Sequence, residues 1–335
     1  MSDMKNVFLE VKDLVVEYTS GKDTIHAVSG VSFTLEKGKT LALVGETGAG
    51  KTTIAKTIMR ILPDPPAKIR GGNIYLNGED LLELSETAMR KVRGNQISMV
   101  FQDPMTALNP VMRVGDQIAE VIKIHNNITK REAKERAAKM LEMVGITRER
   151  YGEYPHQFSG GMKQRVIIAI ALACSPELLL ADEPTTALDV TIQAQVLEMM
   201  NELRKKQNTS MILITHDLGV VANVSDEVAI VYAGQIIEYG SKRAIFKNPV
   251  HPYTVGLFGA IPNLDQDTRR LANIEGMPPD PTHLPEGCCF HPRCPYATEA
   301  CKKQMVPMRE IENGHFLRCL NRGGSTKEVQ DGKLN

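Results

Sequence analysis

This chain of 335 residues lacks an excess of either charge: 40 Lys and Arg stand against 40 Asp and Glu. No bulk field therefore draws it onto nucleic acid or an acidic membrane surface. It also lacks a long apolar run. The longest, at about 166–174, is roughly half of the ~20 residues that a membrane-spanning helix requires. The opening residues Met1-Ser2-Asp3-Met4-Lys5-Asn6 lack the apolar core of a signal peptide. Any membrane role is thus expected to come through a partner. No internal repeat or low-complexity tract is evident. Cysteine is scarce outside one stretch: Cys174 stands alone, and the other five lie between Cys288 and Cys319. Without an export signal, disulfides are not expected, and Cys174 reads as a small buried side chain ending an apolar helix.

What is present is ordinary for a globular chain, with 42% apolar and 24% charged residues. The length suits one large domain and something smaller. Three stretches stand out. Gly45-Glu46-Thr47-Gly48-Ala49-Gly50-Lys51-Thr52 spells a phosphate-binding loop. Its glycines let backbone N–H groups turn inward as an anion nest, Lys51 reaches the outer phosphates, and the Thr52 hydroxyl suits Mg²⁺. The helix it opens points its positive end at the nucleotide. Phe158-Ser159-Gly160-Gly161-Met162 and Leu178-Leu179-Leu180-Ala181-Asp182-Glu183 follow in that order.

The context supports the loop. Residues 40–44 form a short buried strand running into it, and a helix is expected over 51–62, stopped by Pro63-Asp64-Pro65-Pro66. Alternation predicts strands at 7–18 and 27–35, and an antiparallel edge strand at 71–77 with a turn at Asn77-Gly78. From Ser85 to about Tyr154 the pattern is helical, with helices at 114–125 and 129–144. Thr129 and Glu132 form a capping box for the second. A helix over 160–174 follows, then strand 178–181, helix 190–206, strand 211–215, and a hairpin of 228–232 with 235–239 turning at Gly234. This is an α/β core with an antiparallel β subdomain and a helical insertion at about 85–160. Residues 249–285 hold seven of the 18 prolines, which places a boundary near 248. The expected division is a phosphate-loop domain at 1–247, a Pro- and Cys-rich domain at 248–321 and a disordered tail at 322–335.

Phosphoryl transfer to water needs metal-bound phosphates, a positioned water and groups that absorb developing charge. Asp182 ends an apolar strand and suits Mg²⁺, while Glu183 suits orienting or deprotonating water. Gln102 ends a strand at 96–101 and could reach both metal and water. His216 closes its strand and precedes Asp217, where the ligand crevice of such sheets lies. Tyr18 could stack on adenine; its bland alternative is a strand aromatic at the core edge.

With these residues in place, the chain resembles the ATP-binding subunits of ABC transporters over roughly residues 7–245. The resemblance rests on the glycine loop, Gln102, the Phe158–Met162 signature, Asp182-Glu183, Thr186-Ala187-Leu188-Asp189 and His216. It implies ATP held by Tyr18, Gly45, Thr47, Gly48, Ala49, Gly50, Lys51, Thr52 and Thr53. It implies Mg²⁺ at Thr52, Gln102 and Asp182, and catalysis by Glu183, His216 and Gln102. Ser159, Gly160 and Gly161 would bind the γ-phosphate on a second, homologous ATPase subunit, with Asp189 at the shared interface. Phe158 and Met162 replace the commoner Leu and Gln, leaving the hydroxyl and N–H groups intact.

A narrower resemblance concerns subtype. Gln102-Asp103-Pro104-Met105-Thr106-Ala107-Leu108-Asn109-Pro110, His251-Pro252-Tyr253-Thr254 and the stretch from Gly287 to Pro295 are similar to the oligopeptide, dipeptide and nickel importer subfamily. That implies two membrane-spanning permease subunits, an external solute-binding protein, no nucleic acid, and a place on the cytoplasmic membrane face. Peptide import is the expected function. Nickel uptake is the alternative, and a soluble ABC ATPase acting on nucleic acid a more distant one. Cys288, Cys294, Cys301 and Cys319 are separated by five, six and seventeen residues, unlike the paired spacing of most structural zinc sites. Spacing alone does not choose between zinc and a cluster. The resemblance implies a 4Fe–4S cluster on these four thiols, with Cys289 spare and His283, His291 and His315 structural.

Overall fold

The computed structural model describes residues 7–102, 107–185, 188–260 and 274–323. Expectations for Asp103, Pro104, Met105, Thr106, Thr186, Ala187 and the tail residues 324–335 lie outside the described residues. In chain order the elements begin β1 (Val7–Ser20), β2 (Asp23–Glu36), β3 (Thr40–Val44), α1 (Lys51–Ile58), β4 (Ala67–Leu76), β5 (Glu79–Asp80), α2 (Glu86–Val92) and β6 (Ile97–Val100). There follow α3 (Val114–His125), α4 (Lys130–Met143), α5 (Gly160–Leu172), β7 (Leu178–Asp182), α6 (Val190–Lys206), β8 (Ser210–Ile214), α7 (Leu218–Val224) and β9 (Glu227–Tyr232). Last come β10 (Gln235–Ser241), α8 (Lys242–Lys247), α9 (Pro252–Gly259), α10 (Glu299–Lys303), β11 (Arg309–Glu312) and β12 (His315–Leu317).

These elements form two compact units. Within the described residues, the first holds 7–35, 41–82 and 216–323, and the second holds 36–40 and 83–215. In the first, β2, β1, β4 and β5 make an antiparallel sheet. β1 pairs with β4 in the register Leu9↔Leu76 and Val11↔Ile74, so the alternating apolar residues of both strands are buried on one face. A second set of strands runs β11-β12-β10-β9-β3. Here β3 lies parallel to β9, and β9 turns into β10 through Ala233 and Gly234, both at positive φ. Such a turn matches the twist of the strands it joins.

Helix α1 stops earlier than the prolines require. Arg60 takes a left-handed φ of 50°, and its N–H and that of Ile61 donate back to Thr57 O and Lys56 O at 2.9 and 3.0 Å. This is a Schellman ending with arginine where glycine is usual. The Arg60 guanidinium donates to Leu81 O at 3.0 Å and holds the turn.

Described residues after 248 belong to the first unit, and β12 extends its strands by pairing with β10. Tyr253, Cys289 and Phe290 are buried in the same cluster as Ala42, Val44, Val228, Ile230 and Tyr232. The rings of Tyr232, Tyr253 and Phe290 lie 4.7–5.6 Å apart, each pair adding about 0.5–1.5 kcal/mol beyond its buried area. A proline-rich stretch with few apolar residues thus shares a core instead of building one.

In the second unit β6, β7 and β8 are parallel neighbours in that order. All three are buried along their whole length, the reading expected of strands covered on both faces. The capping box at α4 is present, with both Thr129 and Glu132 engaged. Among the described residues no helix is long and apolar enough to cross a membrane.

Candidate functional site

In the first unit, buried β3 delivers the chain into the glycine loop. A Cβ on Gly45 would lie 2.1 Å from Val231 O, and one on Gly50, whose φ is 100°, would lie 2.3 Å from Ala27 O. Glycine is therefore obligatory at both ends of the turn. Gly50 caps α1 without a side-chain bond, and the first turn of α1 has no acidic residue. Its leading N–H groups and the positive end of its dipole thus face the loop without an acidic neighbour in that turn. Lys51 is buried, and its ammonium donates to Gly45 O at 2.7 Å and Glu46 O at 2.9 Å. Tyr18, half-buried on β1, sets its hydroxyl 3.4 Å from Thr53 Oγ1 on the same helix. His216 is exposed just beyond β8, and Asp217 after it caps α7 through the N–H groups of Gly219 and Val220.

In the second unit, Gln102 follows β6, and Asp182 and Glu183 end β7. Carboxyl ends of parallel strands are where open α/β sheets place ligands. Gln102 Nε2 donates to Glu183 Oε2 at 2.8 Å. Glu183 takes a φ of 45° and donates its N–H to Ile214 O at 2.8 Å. A non-glycine residue held in left-handed backbone is strain of the sort found at functional sites. Asp182 is 2% exposed. Ser159 caps α5, its hydroxyl accepting from Met162 N at 3.4 Å, and that helix also opens without an acidic residue. A Cβ on Gly161 would come within 2.6 Å of the Ile192 side chain. Asp189 caps α6, accepting from Ile192 N at 2.9 Å. Tyr18, Gly45, Thr47 through Thr53 and His216 thus belong to one unit, and Gln102, Ser159, Gly160, Gly161, Asp182, Glu183 and Asp189 to the other.

Cys288, Cys294, Cys301 and Cys319 line one small cavity, together with Phe290 and His291. Cys289 turns elsewhere, beside Ile237 and Arg318. Asn321 Nδ2 donates to Cys301 Sγ at 3.4 Å, and Thr298 Oγ1 lies 3.4 Å from the same sulfur. Burial pushes the Cys288 thiol up to about 11 and raises that of Cys294. Among the described residues no group of three or more His, Cys, Asp or Glu side chains is placed to hold a metal ion. A single zinc would need sulfurs about 3.8 Å apart, as its ~2.3 Å bonds dictate. Two of the histidines are engaged elsewhere, His315 Nε2 lying 2.8 Å from Glu238 and His283 pairing with Thr282, while His291 in the cavity lining pairs its Nδ1 with Cys288 O.

Residues 28–186 match the family described as ABC transporter, and residues 237–301 match the oligopeptide/dipeptide transporter C-terminal region. The chain is 51% identical over 313 residues to the oligopeptide transport ATP-binding protein OppD of Bacillus subtilis, covering 92% of this chain and 87% of that one. It is 49% identical to the dipeptide transport ATP-binding protein DppD of the same organism, covering 93% of each. Against OppD of Escherichia coli the figures are 48%, 94% and 93%. The chain belongs to the ABC transporter ATP-binding family. Its fold is that of solved ABC cassettes. A dimeric bacterial ABC transporter cassette aligns with a TM-score of 0.62 at 25% identity, over 70% of this chain and 98% of that one. A post-hydrolysis cassette dimer bound to ADP and Pi aligns at 0.63. This ABC protein is accordingly an ATPase subunit that hydrolyses ATP to drive transport.

Sequence reasoning missed two residues of this ABC ATPase that touch its glycine loop. Tyr253 accepts a hydrogen bond from Glu46 N at 3.0 Å, and Arg293 grips the Glu46 carboxylate with both Nη atoms, at 3.0 and 3.2 Å. Burial opposes the Arg293 charge, but Glu46 and Tyr232 overcome it and raise its pKa. Burial raises that of Tyr253 as well. Both lie more than two hundred residues from the loop, so the stretches that contain them, though noted as subtype markers, give no sign of this contact. The left-handed backbone of Glu183 was equally invisible, because φ is not written in residue type.

Proposed function

We propose that this ATPase energises a peptide importer, closing with a second homologous ATPase subunit around two ATP molecules and driving two permease subunits supplied by an external solute-binding protein. The reading places it on the cytoplasmic face of the membrane. Support for the solute comes from its relatives, whose names are those of oligopeptide and dipeptide transport proteins.

The chemistry follows from side chains. Tyr18 stacks on adenine. Lys51 and the N–H groups of Gly45, Thr47, Gly48, Ala49, Gly50, Thr52 and Thr53 take the phosphates. Thr52, Gln102 and Asp182 would hold Mg²⁺, which would supply positive charge against that developing on the transferred phosphoryl group. Glu183 orients and deprotonates the attacking water, with Gln102 steering its carboxylate, and His216 contacts the γ-phosphate. Ser159, Gly160 and Gly161 serve the nucleotide of the partner subunit, and Asp189 lies at the shared interface.

The Gln102–Glu183 hydrogen bond carries this reading. It couples a metal-ligand candidate to a carboxylate held in left-handed backbone at a strand end. Glu183→Gln should bind ATP and remain paired with its partner subunit, while turnover falls about 10²–10⁴-fold, the usual worth of a general base. Turnover within a few fold of wild type would refute the role.

The four-cysteine cavity is read as the seat of a 4Fe–4S cluster held by Cys288, Cys294, Cys301 and Cys319. Four thiols around one cavity, without a carboxylate among its lining residues, suit such a group chemically. When bound it would cross-link the segment and offer one electron. Cys301, hydrogen-bonded by Asn321, would be the thiolate shielded most directly by this chain's own donors.

A further inference from the structure

Every polar group of Glu46 is engaged. Its N–H donates to Tyr253, its carboxylate meets Arg293, and its carbonyl accepts from Lys51. Arg293 is committed just as fully. Nε donates to Glu275 O, Nη1 to Glu46 and the Tyr232 hydroxyl, and Nη2 to Glu46 and Ile274 O. All five N–H bonds of the guanidinium are thus used, and its side chain is only 6% exposed. A chance surface contact would leave several of them to water.

Two consequences follow for a phosphate-binding loop. First, Lys51 rests on carbonyls of Gly45 and Glu46, so whatever fixes Glu46 also fixes the seat of the phosphate-binding ammonium. Second, Glu46 places a carboxylate on a loop meant for a polyanion. Unpaired, it would repel the triphosphate; the adjacent guanidinium cancels it. We infer that Arg293 and Tyr253 are positioning residues for nucleotide, pinning the glycine loop in its phosphate-ready shape and cancelling the Glu46 charge. Nucleotide affinity therefore depends on how the segment after residue 248 is seated. This inference rests on the nucleotide-binding reading above, and it adds a control point. Arg293 immediately precedes Cys294 of the cysteine-lined cavity, so the state of that cavity bears on the loop through a single peptide link.

The test uses the full-length chain and a fluorescent ATP analogue, with KM and kcat for ATP measured beside the binding constant. Arg293→Met should weaken binding about five- to twentyfold, the lower range of coupling between sites, and raise KM to match while kcat at saturation changes less than about twofold. Arg293→Lys should restore part of the loss, since it returns charge without the two-pronged grip. Glu46→Gln should lessen the effect of Arg293→Met, giving a non-additive cycle. Should Arg293→Met unfold, Tyr253→Phe keeps the ring in the core and removes only the acceptor. Its KM should rise at an unchanged thermal midpoint. Wild-type affinity in both Arg293→Met and Tyr253→Phe, or strictly additive Arg293 and Glu46 effects, would overturn the inference. Failure of the wild-type chain to bind the analogue would instead bring down the nucleotide-binding reading itself.

Discussion

His251 shows how much one buried side chain can decide. It caps α9, its Nδ1 accepting from Tyr253 N at 3.1 Å, so that nitrogen carries no proton and the neutral ring is protonated at Nε2. Burial lowers its pKa to about 4, with the Glu238 charge opposing the shift. The ordinary value is about 6.5. Between these two pH values the unfolded chain binds a proton that the folded chain refuses. Stability therefore falls as pH drops through that window, at up to about 1.4 kcal/mol per pH unit. His251→Asn keeps a capping acceptor and does not titrate. Urea midpoints measured from pH 7 to pH 4 should decline less steeply in this variant; an identical slope would move the proton elsewhere. Glu238 beside it is fully buried yet accepts from Val250 N, His251 N and His315. Those three donors let a carboxylate survive out of water.

At the scale of elements, the local signals were read well where they were strong. Thr129→Ala removes the hydroxyl that accepts from Glu132 N and donates to the Glu132 carboxylate at the start of α4, leaving the backbone half of the box, and should cost about 1 kcal/mol by denaturant titration. ATP turnover should be unchanged, because α4 carries none of the assigned site residues. Loss of turnover would give this helix a part it is not assigned. Helices α3 and α6 occupy the residues expected of them. The misreadings have physical causes. Prolines announced the end of α1, but Arg60 had already ended it through a backbone conformation that arginine seldom adopts. β11 and β12 have four and three residues, too few for alternation to register. What makes them strands is the open side of β10, where Glu238 pairs with the distant Leu317. Of the candidate site, the glycine loop, strand-end carboxylates and Ser159 stand at the helix starts and strand ends where residue type and spacing put them. The grip of Arg293 and Tyr253 on Glu46 was not legible, since tertiary contact alone creates it.

On the scale of the whole molecule, the segment after residue 248 is fastened by shared aromatic core, by β-pairing and by the Arg293 clamp. A 4Fe–4S cluster would add a fourth fastening. Protein purified without oxygen should then be brown, with a broad visible absorption that iron chelation removes, and chelation should lower the thermal midpoint. Colourless protein carrying zinc would replace iron in this account, and metal-free protein of unchanged stability would dismiss the cluster.

The pairing of β12 with β10 carries a further consequence during synthesis. Until β12 has been made, β10 has no neighbour on that side, and its amides and carbonyls are open to any extended polypeptide nearby. A nascent or truncated molecule is adhesive where the finished one is sealed, so premature stop codons in this stretch would foster clumping as well as loss of transport.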